Sequence, residues 1–153
     1  MDKKTLLSQV LGRLEQQLAT MQHAARSSHD AATGSESKSE GKYDTRGLEA
    51  SYLAGAQIEQ CEKIAQAIRI LQTFVLPETD PDASAQAGHI VEVESNGDIQ
   101  HYFLLPCAGG ITLEHDDGEF ITLTPDAPLY QAVLGKKAGE LVEEKNSLIL
   151  EIL

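Results

Sequence analysis

The chain of 153 residues has no tryptophan, only 5% aromatic residues and no long apolar run. No stretch approaches the 18 apolar residues of a membrane span, and the N-terminus is too polar for a signal peptide, so no membrane partner is expected. The only two cysteines, Cys61 and Cys107, lie far apart and form no CxxC pair. This pattern excludes a disulfide framework and predicts a reduced, cytoplasmic setting.

Sequence patterns of phosphate-binding loops, dinucleotide-binding turns, zinc proteases and serine hydrolases are all missing. The five histidines include no pair at i and i+4, and neither cysteine adds a nearby ligand, so a zinc site is not expected. Gly135-Lys136-Lys137 follows a predicted helix instead of starting one, which argues against phosphate binding. We therefore expect no enzyme, no intrinsic cofactor and no metal site of the chain's own.

Basic residues are scarce in the second half. Residues 1–76 carry equal numbers of acidic and basic residues, whereas residues 77–153 contain only three lysines, so the entire net charge of −12 lies there. Such a surface repels phosphate backbones, which argues against direct, sequence-specific DNA binding. A basic protein partner fits this charge better, and simple solubility is the alternative.

Two apolar seams with helical spacing dominate residues 1–76 and predict an antiparallel coiled-coil hairpin. The turn, or tip, is expected at about residues 27–46, where apolar side chains nearly vanish. The same seams could form a homodimer, but the Gly- and Ser-rich break between them favours a chain that folds back as a monomer. The seams comprise Leu7, Val10, Leu14, Leu18, Met21 and Ala25, then Ala54, Ile58, Cys61, Ile64, Ile68, Leu71 and Val75.

Residues 77–88 have the composition of a linker, and residues 89–153 show strand-like alternation. Asn96-Gly97 and Asp117-Gly118 predict two hairpin turns. A short helix is predicted within residues 126–143, starting at Asp126 or Pro128 and ending at Gly135. The fold class is therefore α+β: a helical hairpin followed by a small antiparallel β domain with one short helix.

The tip carries several acids, of which Asp44 is the most informative. An Asp at this position can simply cap the second helix. A carboxylate at the end of a long hairpin can also act as an oxygen ligand for Mg²⁺ held mainly by another molecule. The residues alone favour the cap.

The order of these elements resembles the Gre transcript-cleavage and elongation factors of bacteria. The match is most specific near the C-terminus, where Ala127-Pro128-Leu129, a short helix ending in Leu134-Gly135-Lys136, and Gly139-Glu140-Leu141-Val142 follow the family pattern. The resemblance implies an FKBP-like C-terminal domain that docks on RNA polymerase through residues such as Pro128, Leu129, Gly135 and Lys136. It does not imply prolyl isomerase activity, since the chain has too few aromatic residues for an apolar proline pocket.

In the tip, the resemblance places Asp44 at the family's first acid and Tyr52 at its tyrosine. Gly47 stands where the family has its second acid, and the nearest acid is Glu49. The chain is therefore expected to be an accessory factor of RNA polymerase, with Asp44 and Glu49 near the polymerase Mg²⁺ and Tyr52 in contact with the partner. The alternatives are a regulator of the polymerase secondary channel without cleavage activity, or a coiled-coil adaptor for another protein.

Overall fold

The structure, a computed structural model, describes residues 2–33, 46–143 and 146–153. Within these ranges, only the backbone is described for residues 28–29, 31–33 and 46–54. Within these ranges, no helix is long and apolar enough to cross a membrane. The α+β class predicted from the sequence is confirmed: two long helices precede a six-stranded sheet with one short helix.

The first two helices are α1 (Lys3–Thr33) and α2 (Arg46–Gln72). Asp2 caps α1, because its carboxylate accepts hydrogen bonds from the Lys4 backbone N–H at 3.0 Å and the Thr5 hydroxyl at 2.5 Å. α1 remains helical through Thr33, so the expected turn from residue 27 is wrong over its first seven residues.

α1 and α2 run antiparallel. Leu18 and Ala25 of α1 line a groove of about 310 Å³ with Ile58 and Cys61 of α2. Nearer the N-terminus, Leu7 and Leu11 line another groove, of about 850 Å³, with Leu71 and Phe74. Early residues of α1 therefore lie beside late residues of α2, as a hairpin requires.

Seven members of the predicted seam are buried, three are partly buried (Leu18, Met21 and Cys61), two are exposed, and the side chain of Ala54 lies outside the described part of the structure. Ile58 is 50% exposed, and Val75, which lies beyond the last residue of α2, is 84% exposed. The seam is thus narrower than the sequence pattern suggests. Its buried members are Leu7, Val10, Leu14, Ala25, Ile64, Ile68 and Leu71.

The chain divides into two compact units. One contains residues 12–69, and the other contains residues 1–11 together with 70–153. The sheet therefore shares its unit with the first turns of α1 and the last residues of α2. The domain boundaries expected at residues 76 and 88 stay a prediction.

Six strands form one sheet in the order β3-β4-β2-β1-β6-β5. Four of the five pairings are antiparallel, as predicted, but β2 and β4 pair in parallel. The expectation of a wholly antiparallel sheet is wrong at this one pairing. The strands are β1 (Ile90–Ser95), β2 (Asp98–Leu104), β3 (Thr112–His115), β4 (Gly118–Leu123), β5 (Leu141–Val142) and β6 (Ser147–Ile152).

Both predicted hairpins form. Asn96 and Gly97 connect β1 to β2 with φ of 55° and 89°, the positive values that a tight two-residue turn of this kind needs. In the second hairpin, His115 pairs with Gly118, so the two turn residues are Asp116 and Asp117. Gly118 follows them with φ of 123°, which places this turn one residue earlier than predicted.

The short helix α3 (Pro128–Val133) starts at one of the two predicted positions and ends before Gly135, whose φ is 77°. Leu129, Tyr130 and Val133 of α3 are buried against one face of the sheet. The sheet residues in this core are Val91, Val93, Leu104, Val142, Ile149 and Ile152. On the other face, Ile90, Phe103, Leu113 and Phe120 have no exposed surface.

Candidate interaction sites

The expected site at the tip of the hairpin lies mostly beyond the part of the chain that the structure describes. Asp44 is outside the described residues, and for Glu49 and Tyr52 only the backbone is described. Glu49 is in the first turn of α2, and Tyr52 follows in the next turn. The roles of Asp44, Glu49 and Tyr52 therefore stay a prediction.

The helices that lead to this site have a definite length. Residues 12–33 of α1 and 46–69 of α2 fall within the helical unit. At 1.5 Å per residue, each of these segments extends for roughly 33–36 Å. Residues 34–45, which include Asp44, lie between α1 and α2 in the sequence and outside the described part of the structure.

The second expected site is the segment from Pro128 to Lys136, whose residues differ in accessibility. Pro128 and Gly135 are exposed and Lys136 is partly buried, whereas Leu129 is only 6% exposed and belongs to the sheet core. Leu129 therefore supports this segment by packing and presents little surface to a partner.

Hydrogen bonds hold the two ends of this segment. The Thr124 hydroxyl donates to the Asp126 carboxylate at 2.6 Å, which lowers the pKa of that carboxyl. The side-chain amide of Gln131 donates to the Pro125 carbonyl at 2.9 Å. At the other end, the Gly135 N–H donates to the Ala85 carbonyl at 2.8 Å, and the Ala85 N–H donates to the Lys136 carbonyl at 2.7 Å. The segment is therefore held in one shape.

The structure adds two surface residues to the predicted set. Leu134 is 50% exposed, and Gln131 is exposed beside Pro128. Residues 128 and 131 are three apart on α3, which places them on one side of the helix, and residue 134 follows directly after its last residue. This spacing is visible in the sequence and could have identified Gln131. Together with Asp126, these residues form what we call the α3 surface: Asp126, Pro128, Gln131, Leu134 and Gly135.

A separate cluster lies on the sheet. The imidazole of His101 is 3.2 Å from the Glu92 carboxylate and packs on the ring of Phe120, with ring centroids 4.9 Å apart. His115 lies at the edge of the same ring and is 3.2 Å from the Asp117 carboxylate. Among the described residues, no group of three or more His, Cys, Asp or Glu side chains is arranged to hold a metal ion. The pairs fasten neighbouring strands and turns.

No protein-family model matches the chain, and no curated protein matches it. Solved structures do match it. The GreA factor homolog 1 (Gfh1) of Thermus thermophilus is 19% identical and has a TM-score of 0.35, with 94% of each chain covered. The Gfh1 of Thermus aquaticus is 18% identical, with 92% of each chain covered and a TM-score of 0.37.

A further structure, titled as that of the transcription factor Gfh1, is 20% identical, covers 93% of this chain and 92% of its own, and has a TM-score of 0.36. At identities of 18–20% and TM-scores below 0.5, this likeness alone assigns neither a partner nor an activity. The similarity to a Gre-type protein that the sequence predicts is thus found among solved structures as well.

Proposed function

We propose that the protein is a transcription elongation factor of Gre type that binds RNA polymerase in the cytoplasm. The observation that carries this proposal is the helical unit, residues 12–69: two antiparallel helices joined by a segment that contains Asp44. A pair of helices that buries one narrow seam encloses no active site of its own. It is suited to enter a channel of a larger enzyme and present its tip there.

The α3 surface is the proposed docking site for the polymerase. Pro128, Gln131 and Leu134 are exposed on a segment whose ends are fixed by hydrogen bonds, so docking would require little ordering of the chain. The surrounding half of the chain carries the whole net charge of −12. This charge favours a basic protein surface and disfavours direct binding to nucleic acid.

At the tip, Asp44 and Glu49 would supply carboxylate oxygens to a Mg²⁺ ion held mainly by the polymerase. Two carboxylates suit this task, because Mg²⁺ prefers oxygen ligands and keeps several waters. The same carboxylates would orient a water molecule for hydrolysis of backtracked RNA. In this proposal the protein brings carboxylates, and the reaction takes place in the active site of the polymerase.

The second candidate function is regulation through the same channel without cleavage. It is favoured by Gly47, which occupies the position where the Gre pattern has its second acid. In this case the hairpin would occupy the channel and limit access to the active site. A coiled-coil adaptor for another protein remains the third candidate.

Binding and cleavage are tested separately. Purified protein and bacterial core polymerase should co-elute, and Leu134→Lys should weaken the complex at least about tenfold by removing an apolar contact and adding charge at the docking site. Leu141→Lys is the matched control, because Leu141 is also an exposed leucine of the same unit, at 59% against 50%. Equal effects of the two substitutions, or no complex with the wild type, would contradict the proposed docking.

Cleavage is measured with stalled, backtracked elongation complexes. If the tip acts in cleavage, the wild type releases short 3′ RNA fragments, and Asp44→Asn and Glu49→Gln each reduce the rate by roughly a factor of 10–100. Glu15→Gln, an exposed acid early in α1, should leave the rate unchanged. Polymerase binding without fragment release would establish the second candidate in place of the first.

A further inference from the structure

The start of α1 is fastened to the segment that leads into the sheet, and all residues involved belong to one compact unit. The Lys3 ammonium donates a hydrogen bond to the Pro77 carbonyl at 2.8 Å. Gly88 packs on the Pro77 ring so closely that a Cβ at this position would lie 2.3 Å from the ring's Cδ. The junction therefore leaves no room for a side chain at position 88.

His89 is buried directly beside this junction. It is only 1% exposed, and its ring atom Nδ1 has no hydrogen-bond partner among the described residues. Its backbone N–H donates to the Gln86 carbonyl at 3.1 Å, and its carbonyl accepts from the Leu104 N–H at 2.9 Å. With only 1% of its surface exposed, the imidazole is not hydrated in this position, and its backbone is held by hydrogen bonds on both sides.

Burial and the charge of Lys3 oppose the protonation of His89. Burial, and after it the Lys3 ammonium, lower the pKa of His89, while a hydrogen bond with the Ser84 backbone and the charge of Asp80 act in the opposite direction. Lys3 comes from α1 and Asp80 from the segment before the sheet. Burial also lowers the pKa of Lys3, which is thus already a partly desolvated cation. A second cation beside it would be strongly disfavoured.

We propose that Lys3, Pro77 and His89 form a proton-operated latch, closed while the imidazole is neutral and opened when it is protonated. A protonated His89 gains hydration only by leaving its buried position next to Gly88, and this departure, together with the repulsion between the two cations, would release Lys3 from the Pro77 carbonyl. Opening then frees the first turn of α1 from the segment at residues 77–89. The latch does not depend on the proposed polymerase function.

The direction of the pH dependence follows from the lowered pKa of His89. A histidine in an open or unfolded chain has a pKa of about 6.5, so the latch is fully stable above this pH. As the pH falls below about 6.5, the open state takes up the proton more readily, and opening increases until the pH has passed the lower pKa of the closed state. The increase is at most about tenfold for each pH unit in this window.

The test is amide hydrogen exchange followed by NMR on the full chain, expressed as protection factors between pH 7.5 and pH 5. The amides of Leu6 and Gly88 report on the latch, because they donate to the Asp2 and Leu104 carbonyls on its two sides. The Leu105 amide, which donates to Leu123 within the sheet region, is the internal reference. We expect protection of Leu6 and Gly88 to fall several-fold with acidification while that of Leu105 stays constant.

His89→Gln keeps a polar side chain but cannot be protonated, so the protection of Leu6 and Gly88 should no longer fall with acidification. His101→Gln is the control, because His101 is paired with Glu92, and this variant should still show the fall. Three results would each overturn the latch. They are a protection that does not fall with acidification in the wild type, a fall that persists in His89→Gln, and a fall that is lost in both variants. If His89→Gln does not fold, the ring protons of the wild type decide. A His89 pKa at or above 6.5 refutes the proposal, and a lower pKa that rises in Lys3→Met supports it.

Discussion

The sheet and the helical pair bury apolar side chains in different ways. In the sheet, Phe103 and Phe120 have no exposed surface, and apolar residues are buried on both faces. In the helical unit the buried side chains form a single seam between α1 and α2. Ile58 of α2, which the sequence pattern assigns to this seam, is 50% exposed. A two-sided core stabilises a unit against local opening far more than one seam does. We therefore expect the sheet unit to resist local opening more strongly than the helical pair does.

The largest expected effect on stability is that of Phe103→Ala in the centre of the sheet, which tests the two-sided core. Removing a ring with no exposed surface leaves a cavity that a two-sided core cannot close, so we expect a loss of about 3–5 kcal/mol in the free energy of unfolding. Ile99→Ala, on the same strand at 54% exposure, should change it by less than about 1 kcal/mol. Urea unfolding followed by circular dichroism measures both. A similar loss in the two variants would contradict the burial of Phe103.

A smaller effect is expected for Ile64→Ala in the helical seam. Ile64 is 9% exposed, and a single seam can partly collapse around the missing atoms, so the loss should be about 2–3 kcal/mol, near the lower end for such substitutions. The loss should appear as faster amide exchange in residues 12–33 and 55–69, with the sheet amides unchanged.

Ile58→Ala, on the same helix at 50% exposure, is the control and should have less than half this effect. If Ile64→Ala accelerated exchange equally in the sheet, the two units would unfold as one, and the contrast between them would be wrong.

The elements that the sequence predicted well are those with a local cause. Asn96-Gly97 sets its turn through its own backbone preferences, and Gly135 ends α3 because it adopts positive φ at little cost. The parallel pairing of β2 with β4 has no local cause. Alternating apolar residues define a strand and its buried faces, but they do not say which strand lies beside it.

The same distinction applies to the candidate sites. The exposure of Gln131 follows the helical step from Pro128 and was available in the sequence, whereas Leu134 lies just beyond the last residue of α3. The burial of His89 was not, and neither was the influence of Lys3 on it, because Lys3 is far away in the chain and reaches the Pro77 carbonyl only through the fold. Leu129 was expected at a partner surface because of the family pattern, yet tertiary packing places it in the sheet core.

The smallest effects come from one substitution, glycine to alanine, made once in each region. Gly12 lies in α1 and Gly97 in the β1–β2 turn, and an added Cβ at either position would meet no atom within 4 Å. Contacts therefore cannot distinguish the two sites, and only backbone conformation can. Gly12→Ala should raise the free energy of unfolding by about 0.5–1 kcal/mol, because alanine has the higher helix propensity.

Gly97→Ala should lower the free energy of unfolding by about 1–2 kcal/mol, because φ of 89° is strained for any residue with a Cβ. Thermal unfolding of both variants and of the double variant measures the two values and their sum. The effects should add within about 0.5 kcal/mol, since the sites share no contact. A stabilising Gly97→Ala would mean that the turn does not hold positive φ. A destabilising Gly12→Ala would mean that α1 is not a regular helix where it enters the helical unit.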